Sequence, residues 1–227
     1  MSPSTTKKAV NGNGQAPDIN EVAAEVVEIS RIASEALRVP IIGTSPLIVH
    51  RFSEKARRQM LDAMQGRKTP RQPKDPEAEY EAAAYRFEDG GFGLPSVAFK
   101  RATVSAARFY GKDVRMTELR QCVFIRGELG RDGQQLTRIE GEPHPREDVV
   151  RVGKGGTDLR YRPAFESWTA TLHVIYVKSA LTRNSLLSLI DAAGMGVGVG
   201  EWRPERNGDF GTYRIDPDKT VEIDESA

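Results

Sequence analysis

Residues 167–178 alternate with a period of two. Trp168, Ala170, Leu172, Val174 and Tyr176 fall on one side, and Thr169, Thr171, His173, Ile175 and Val177 on the other. Successive side chains point to opposite faces only in an extended chain, so this stretch is a strand with an apolar face to bury. A helical pattern follows directly. Thr182 is placed to cap it, Leu186, Leu187, Leu189 and Ile190 form its core stripe, and Gly194 stands where a C′ glycine belongs.

The same pairing of strand and helix occurs earlier. Residues 37–49 are rich in Val, Ile and Leu and are broken at Gly43, Thr44, Ser45 and Pro46, where a kink or bulge is expected. A helix over 97–110, capped by Ser96, carries Phe99, Ala102, Ala106 and Phe109 on one side, and a strand over 121–128 follows. With a last strand near 210–215, the strongest elements read β-α-β-β-α-β, an α+β fold of ferredoxin-like order with an antiparallel sheet. Two insertions interrupt it. The one over 51–95 holds a helix over 54–65 capped by Ser53, with Ala56, Met60, Ala63 and Met64 on one face, then a proline-rich basic loop, then a short helix over 77–87. The one over 141–165 has little apolar content and reads as a projecting loop or irregular hairpin, a length that compact domains keep for a binding element. Residues 135–139 are expected to pair back on 121–128. Residues 1–20 are polar and Gly/Pro-rich and are expected to be a disordered tail; 21–35 is ambiguous between helix and strand. The domain is expected to span 21–215, and the acidic tail over 216–227 to add an edge strand at 220–223.

Charge narrows the function. Lys+Arg 33 against Asp+Glu 32 gives +1, which excludes a uniformly basic protein. The charges are nonetheless segregated. Residues 51–75 carry eight basic and three acidic side chains, and residues 100–126 seven and two. Two such segments on one face would make a positive field suited to a polyanion; scattered, they would be merely solvated. The single cysteine, Cys122, excludes an internal disulfide and fits a reducing cytoplasm. No run approaches a membrane span, so no membrane partner is expected. No metal-ligand spacing and no nucleotide-binding glycine fingerprint occurs, and no metal or cofactor is expected.

The most specific stretch is 194–211, with Gly194, Gly196, Gly198 and Gly200 at alternate places, then Trp202 and Arg203, then Gly208, Phe210 and Gly211. Alternate glycines leave one side of an extended segment bare, so that another backbone can approach it. A helix, a Gly-x-Gly run, an arginine, and Gly-x-Phe-Gly leading into a strand resembles the C-terminal signature of the RAMP superfamily, the repeat-associated proteins of CRISPR effector complexes. The opening strand, 38–49, is similar to that family's first strand. The resemblance implies an RRM-like module that binds single-stranded DNA or RNA and forms head-to-tail oligomers along the strand, with a thumb-like hairpin where 141–165 lies. The chain departs from the family in being short and without accessory subdomains, and reads as a phage or prophage relative.

On this reading phosphates meet Lys55, Arg57 and Arg58 of the first insertion, Lys100 and Arg101 of the 97–110 helix, Arg151, Lys154, Arg160 and Arg162 of the second insertion, and Arg203. Gly196, Gly198 and Gly200 give the bare ribbon. Trp202, Phe92 or Tyr161 could stack on bases, with Trp202 equally suited to a core position; Trp168 is expected in the core. The resulting expectation is a non-catalytic, sequence-tolerant single-strand binder. The alternatives are a metal-independent endoribonuclease, for which His50 is a better general base than His144 or His173, and a protein-interaction module that only shares the fold. His173, mid-strand, is expected to be packed.

Overall fold

A computed structural model describes residues 28–67, 73–152 and 156–225. Two units separate: Met1–Arg31, of which the described residues 28–31 are exposed, and Ile32–Ala227, to which the following refers. The regular elements of the first half are β1 (Ser34–Gly43), β2 (Leu47–Ile48), α1 (Glu54–Met64), α2 (Pro76–Ala83), β3 (Tyr85–Arg86), β4 (Phe92–Pro95), α3 (Ser96–Ser105) and α4 (Met116–Cys122). The second half holds β5 (Val123–Arg126), β6 (Glu128–Leu129), β7 (Gln135–Ile139), β8 (Pro143–Val152), β9 (Gly156–Phe165), β10 (Thr169–Val177), α5 (Arg183–Gly196), β11 (Tyr213–Ile215) and β12 (Glu222–Ile223).

The main sheet has the order β11-β1-β10-β5, and every neighbouring pair is antiparallel. With α3 between β1 and β5 and α5 between β10 and β11, this is the ferredoxin-like βαββαβ arrangement. Period-two burial decides which way the strands face. Leu37, Val39 and Ile41 of β1 and Leu172, Val174 and Tyr176 of β10 are buried against Phe99 of α3 and Leu186 and Ile190 of α5. Trp168 lies in this core, with its Nε1–H donating to the Ser45 carbonyl at 2.9 Å.

The break at 43–46 is a change of sheet. A side chain on Gly43 would run into the Trp168 indole, so only glycine lets the chain cross there. Beyond Pro46, β2 pairs with β9 and leaves β10. The insertion over 141–165 is more regular than expected: β8 and β9 form a full ladder from Pro143↔Phe165 to Val152↔Gly156, and β2, β9 and β8 make a sheet of their own. In a third sheet, β3-β4-β7-β6, residues 135–139 pair chiefly with β4, from Phe92↔Ile139 to Pro95↔Leu136, and meet the strand expected over 121–128 only at Glu128, because α4 runs to Cys122 and β5 pairs with β10.

Several local expectations are corrected. Ser53 caps α1, accepting from the Ala56 amide at 3.2 Å, but the apolar face of α1 covers nothing among the described residues, and Met60 and Met64 are 53% and 80% exposed. Ser96 is the first residue of α3, not its cap, and its hydroxyl is within 2.9 Å of the Thr137 hydroxyl. The helix expected over 97–110 becomes 3₁₀ from Ala106 to Tyr110, and that over 77–87 stops at Ala83. Thr182 does cap α5, through the Ser185 amide. The helix runs past Gly194 to Gly196, because Gly194 serves as a contact point where the Tyr213 carbonyl touches the helix backbone. The acidic tail adds the strand expected of it: β12 pairs with β1, and Asp216 and Asp224 are buried. Residues 1–20 and the proline-rich positions 68–72 lie outside the described residues.

Candidate nucleic-acid interface

α3 and the glycine loop after α5 face each other across a groove of about 910 Å³. One wall is Lys100 and Arg101 of α3, Arg108 of the following 3₁₀ turn and Arg120 of α4. The other is Gly198, Gly200, Glu201, Arg203 and Arg206, and His50 and Tyr85 also line the space. Six Lys/Arg side chains therefore meet two glutamates, Glu201 and Glu205, in one concavity. The guanidiniums of Arg101, Arg108, Arg120 and Arg206 have no acidic partner among the described residues. Cations held this close without counter-charge raise the local potential and concentrate anions.

Each wall has one cation tied into its own protein. Lys100 is already engaged: its Nζ donates to the Arg120 carbonyl at 2.9 Å and lies 4.5 Å over the Phe124 ring. Arg203 is turned into its own loop, donating to the Gly200 carbonyl at 3.0 Å and pairing with Glu205 at 2.9 Å. Burial holds the His50 imidazole below its usual range and pushes the Tyr85 phenol up. His50 Nδ1 has no hydrogen-bond partner.

The glycine ribbon is not bare, and the expectation for it is corrected. Gly196 ends α5 against the ring of Phe109. Gly198, at φ 70°, would put a Cβ 2.7 Å from Pro204 Cδ, and Gly200, at φ 77°, would put one 2.6 Å from the Ile48 carbonyl oxygen. The loop is pinned by Val199 N–H to the Gly211 carbonyl and Glu201 N–H to the Ile48 carbonyl. These glycines let the protein's own backbone segments approach, and what faces the groove is the loop's outer edge.

Trp202 sits at φ 50°, a left-handed conformation that costs on the order of 1–3 kcal/mol for a non-glycine residue. Its half-buried ring lies 5.9 Å from Phe210, with Arg162 at 5.1 Å and Arg146 at 5.6 Å from its centroid. Arg162, expected to meet phosphate, is fully buried. It donates to Asp148 at 2.6 Å and to Glu201 at 3.4 Å, so it cannot present its charge at the surface.

The remaining expected residues are dispersed. Lys55, Arg57 and Arg58 are exposed on α1, and Arg151 is exposed on β8; Lys154 lies outside the described residues. Arg160 is half-buried beside Asp158, and near enough to His50 to depress its pKa. Phe92 stacks on Phe165 beneath Arg86, which leaves its ring little free face. Tyr161 is half-buried on β9 and interacts with Glu147. His144 lies 3.5 Å from Glu166. His173 is not packed in the core: it is on the open face of the main sheet, 3.2 Å from Asp224.

Of the residues expected to act, the fold brings Lys100, Arg101, Gly198, Gly200, Arg203 and His50 to one groove, together with Arg108, Arg120 and Arg206, which the sequence reading did not name. In the helix expected over 97–110, Arg101 and Arg108 are seven residues apart, two turns on one face, and that spacing was the available signal.

The sequence matches no protein-family model and no curated protein. Among solved structures the chain is similar to Cmr6 from Pyrococcus furiosus, with TM-score 0.40 and 10% identity over 82% of this chain and 100% of that one. It is also similar to a chain of the type III-B Cmr-beta complex bound to cognate target RNA, with TM-score 0.43 and 10% identity, over 86% of this chain and 62% of that one. Among the described residues no cluster of His, Cys, Asp and Glu could hold a metal ion, and no helix is long and apolar enough to cross a membrane. Cys122 is free and buried, which pushes its thiol pKa up.

Proposed function

We propose that this protein binds single-stranded nucleic acid in the groove between α3 and the glycine loop, without cutting it and without reading its sequence, and assembles head-to-tail along the strand. The observation that carries the reading is the set of four arginines, Arg101, Arg108, Arg120 and Arg206, that surround one groove without acidic partners. A positive groove that follows a backbone, with an aromatic ring beside it, suits an unpaired strand, because every base offers a face to stack on. Tyr85, which lines the groove, supplies that ring, whereas Trp202 packs behind the loop on Phe210 and Arg162. Head-to-tail assembly is favoured by two different exposed apolar patches, Met60 and Met64 of α1 and Phe109 with Met195 beside α5. Unlike patches that meet across copies give a contact that propagates rather than closes.

The test is fluorescence anisotropy of labelled oligo-dT and oligo-U across a salt series, with size-exclusion chromatography on longer strands. Tight binding that weakens steeply with salt, and a growing complex, are expected. Negligible binding of both strands would refute the reading and favour a protein-interaction module.

One observation favours a second reading. His50 lines the groove with its Nδ1 buried and unpartnered, and burial lowers its pKa, which favours the neutral imidazole that a general base requires. If this reading holds, labelled RNA is cleaved and His50→Ala abolishes the cleavage; intact RNA after prolonged incubation removes it.

A further inference from the structure

Arg162 is an unusual use of an arginine. It is 0% exposed, on β9, and neither end of the strand ladder requires a charge there. Burying a guanidinium costs several kcal/mol of desolvation, and an apolar side chain of similar volume would serve packing as well or better. What an apolar residue lacks is the rigid fork of donors, which fixes two acceptors at defined directions. Here those acceptors belong to different parts of the molecule. Nη2 reaches Asp148 of β8 at 2.6 Å, and Nη1 reaches Glu201 of the glycine loop at 3.4 Å. Asp148 is held from its other side by Arg146 Nε at 3.0 Å. Both guanidiniums lie over the Trp202 ring, Arg162 at 5.1 Å and Arg146 at 5.6 Å from its centroid, and Arg146 is also 5.0 Å from that of Phe210. Arg162 thus bridges the hairpin and the loop through ion pairs at both ends, beside the contacts of Arg146 with Trp202 and Phe210 and the Glu201 N–H bond to the Ile48 carbonyl.

We infer that Arg162 is a positioning residue: it couples the β8–β9 hairpin to the glycine loop, so that hairpin and groove wall present one preformed surface to the strand. The inference rests on the strand-binding reading for its function, but the coupling itself can be measured without ligand. It differs from a phosphate contact in what it predicts. Arg162 neutralises no phosphate, so its loss weakens binding through lost preorganisation and leaves the salt dependence of binding unchanged.

The experiment uses the full chain, a labelled oligo-dT and two readouts, binding across salt and backbone amide exchange without ligand. Arg162→Met is expected to bind about tenfold more weakly at each salt concentration, with the wild-type slope, and its β8 and β9 amides to exchange faster while those of α5 do not. Glu201→Ala, which cuts only the loop end of the link and serves if Arg162→Met does not fold, gives an opposed sign. Removing an acid from a cationic groove would tighten anion binding by charge alone; coupling requires weaker binding and faster hairpin exchange. Unchanged hairpin exchange in both variants overturns the inference, as does a salt slope in Arg162→Met shallower by about 0.7, the share of one phosphate contact on a single strand. If the wild type binds neither oligo-dT nor oligo-U, the strand-binding reading falls, while the exchange data still decide the coupling.

Discussion

Replacing Arg101, Arg108, Arg120 and Arg206 together by alanine tests the groove where the structure makes its strongest commitment. Each side chain is exposed and without an acidic partner among the described residues, so each substitution should change stability by no more than about 0.5 kcal/mol. Binding should respond very differently. A lysine or arginine that neutralises one phosphate of a single strand contributes about −0.7 to the slope of log affinity against log salt. Four such contacts contribute about −3, equivalent to a loss of about 50-fold on going from roughly 50 to roughly 200 mM salt. The assay is anisotropy of a labelled oligo-dT at several salt concentrations for wild type and the fourfold variant. The variant should bind more weakly at low salt, and its line should be shallower by about three. Parallel lines would show that these arginines meet no phosphate, and the assignment of the groove would be wrong even if the protein bound the strand elsewhere.

Other consequences follow from the packing. Arg162→Ala removes one partner of a buried pair and should cost about 3–5 kcal/mol in urea unfolding; a loss under 1 kcal/mol would mean that Asp148 is fully satisfied by Arg146. Gly66, Gly198 and Gly200 all have positive φ, but a Cβ on Gly66 meets nothing within 4 Å. Gly66→Ala should therefore cost only the left-handed strain of about 1–2 kcal/mol, and Gly198→Ala and Gly200→Ala clearly more; equal losses would refute the packing account of the loop. Glu35 is held below the usual carboxylate range by its hydrogen bonds from Arg183 and Tyr176. Its contribution is present above that range and lost as pH falls through its folded value, so Glu35→Gln should destabilise at neutral pH and the difference from wild type should vanish in acid. A difference independent of pH would mean that Glu35 acts through packing.

The legible part of this chain is what depends on near neighbours. The alternation at 168–176 gave β10 and its buried face, the Thr182 cap and leucine stripe gave α5, and Gly43 to Pro46 marked the place where the chain leaves one sheet for another. The order of these elements was enough for the ferredoxin-like topology, because a strand's facing and a helix's apolar stripe are written in periods of two and 3.6. Two features lay beyond such local signals. Met60 and Met64 have helical spacing, yet spacing says only that a face exists, not that anything covers it. Arg162 sits among arginines that face outward, and nothing local distinguishes a buried guanidinium from a solvated one.

The sequence by itself determined the strands and helices of the βαββαβ core and their order, and that cationic side chains cluster in two segments. Only the tertiary structure decided which cations share a groove, which are spent on Glu205 or Asp148, and that the alternate glycines admit the protein's own carbonyls. The physical reason is range: secondary structure arises from contacts a few residues apart, whereas the potential in a groove sums charges from α3, α4 and the glycine loop, whose spacing exists only once the chain has folded.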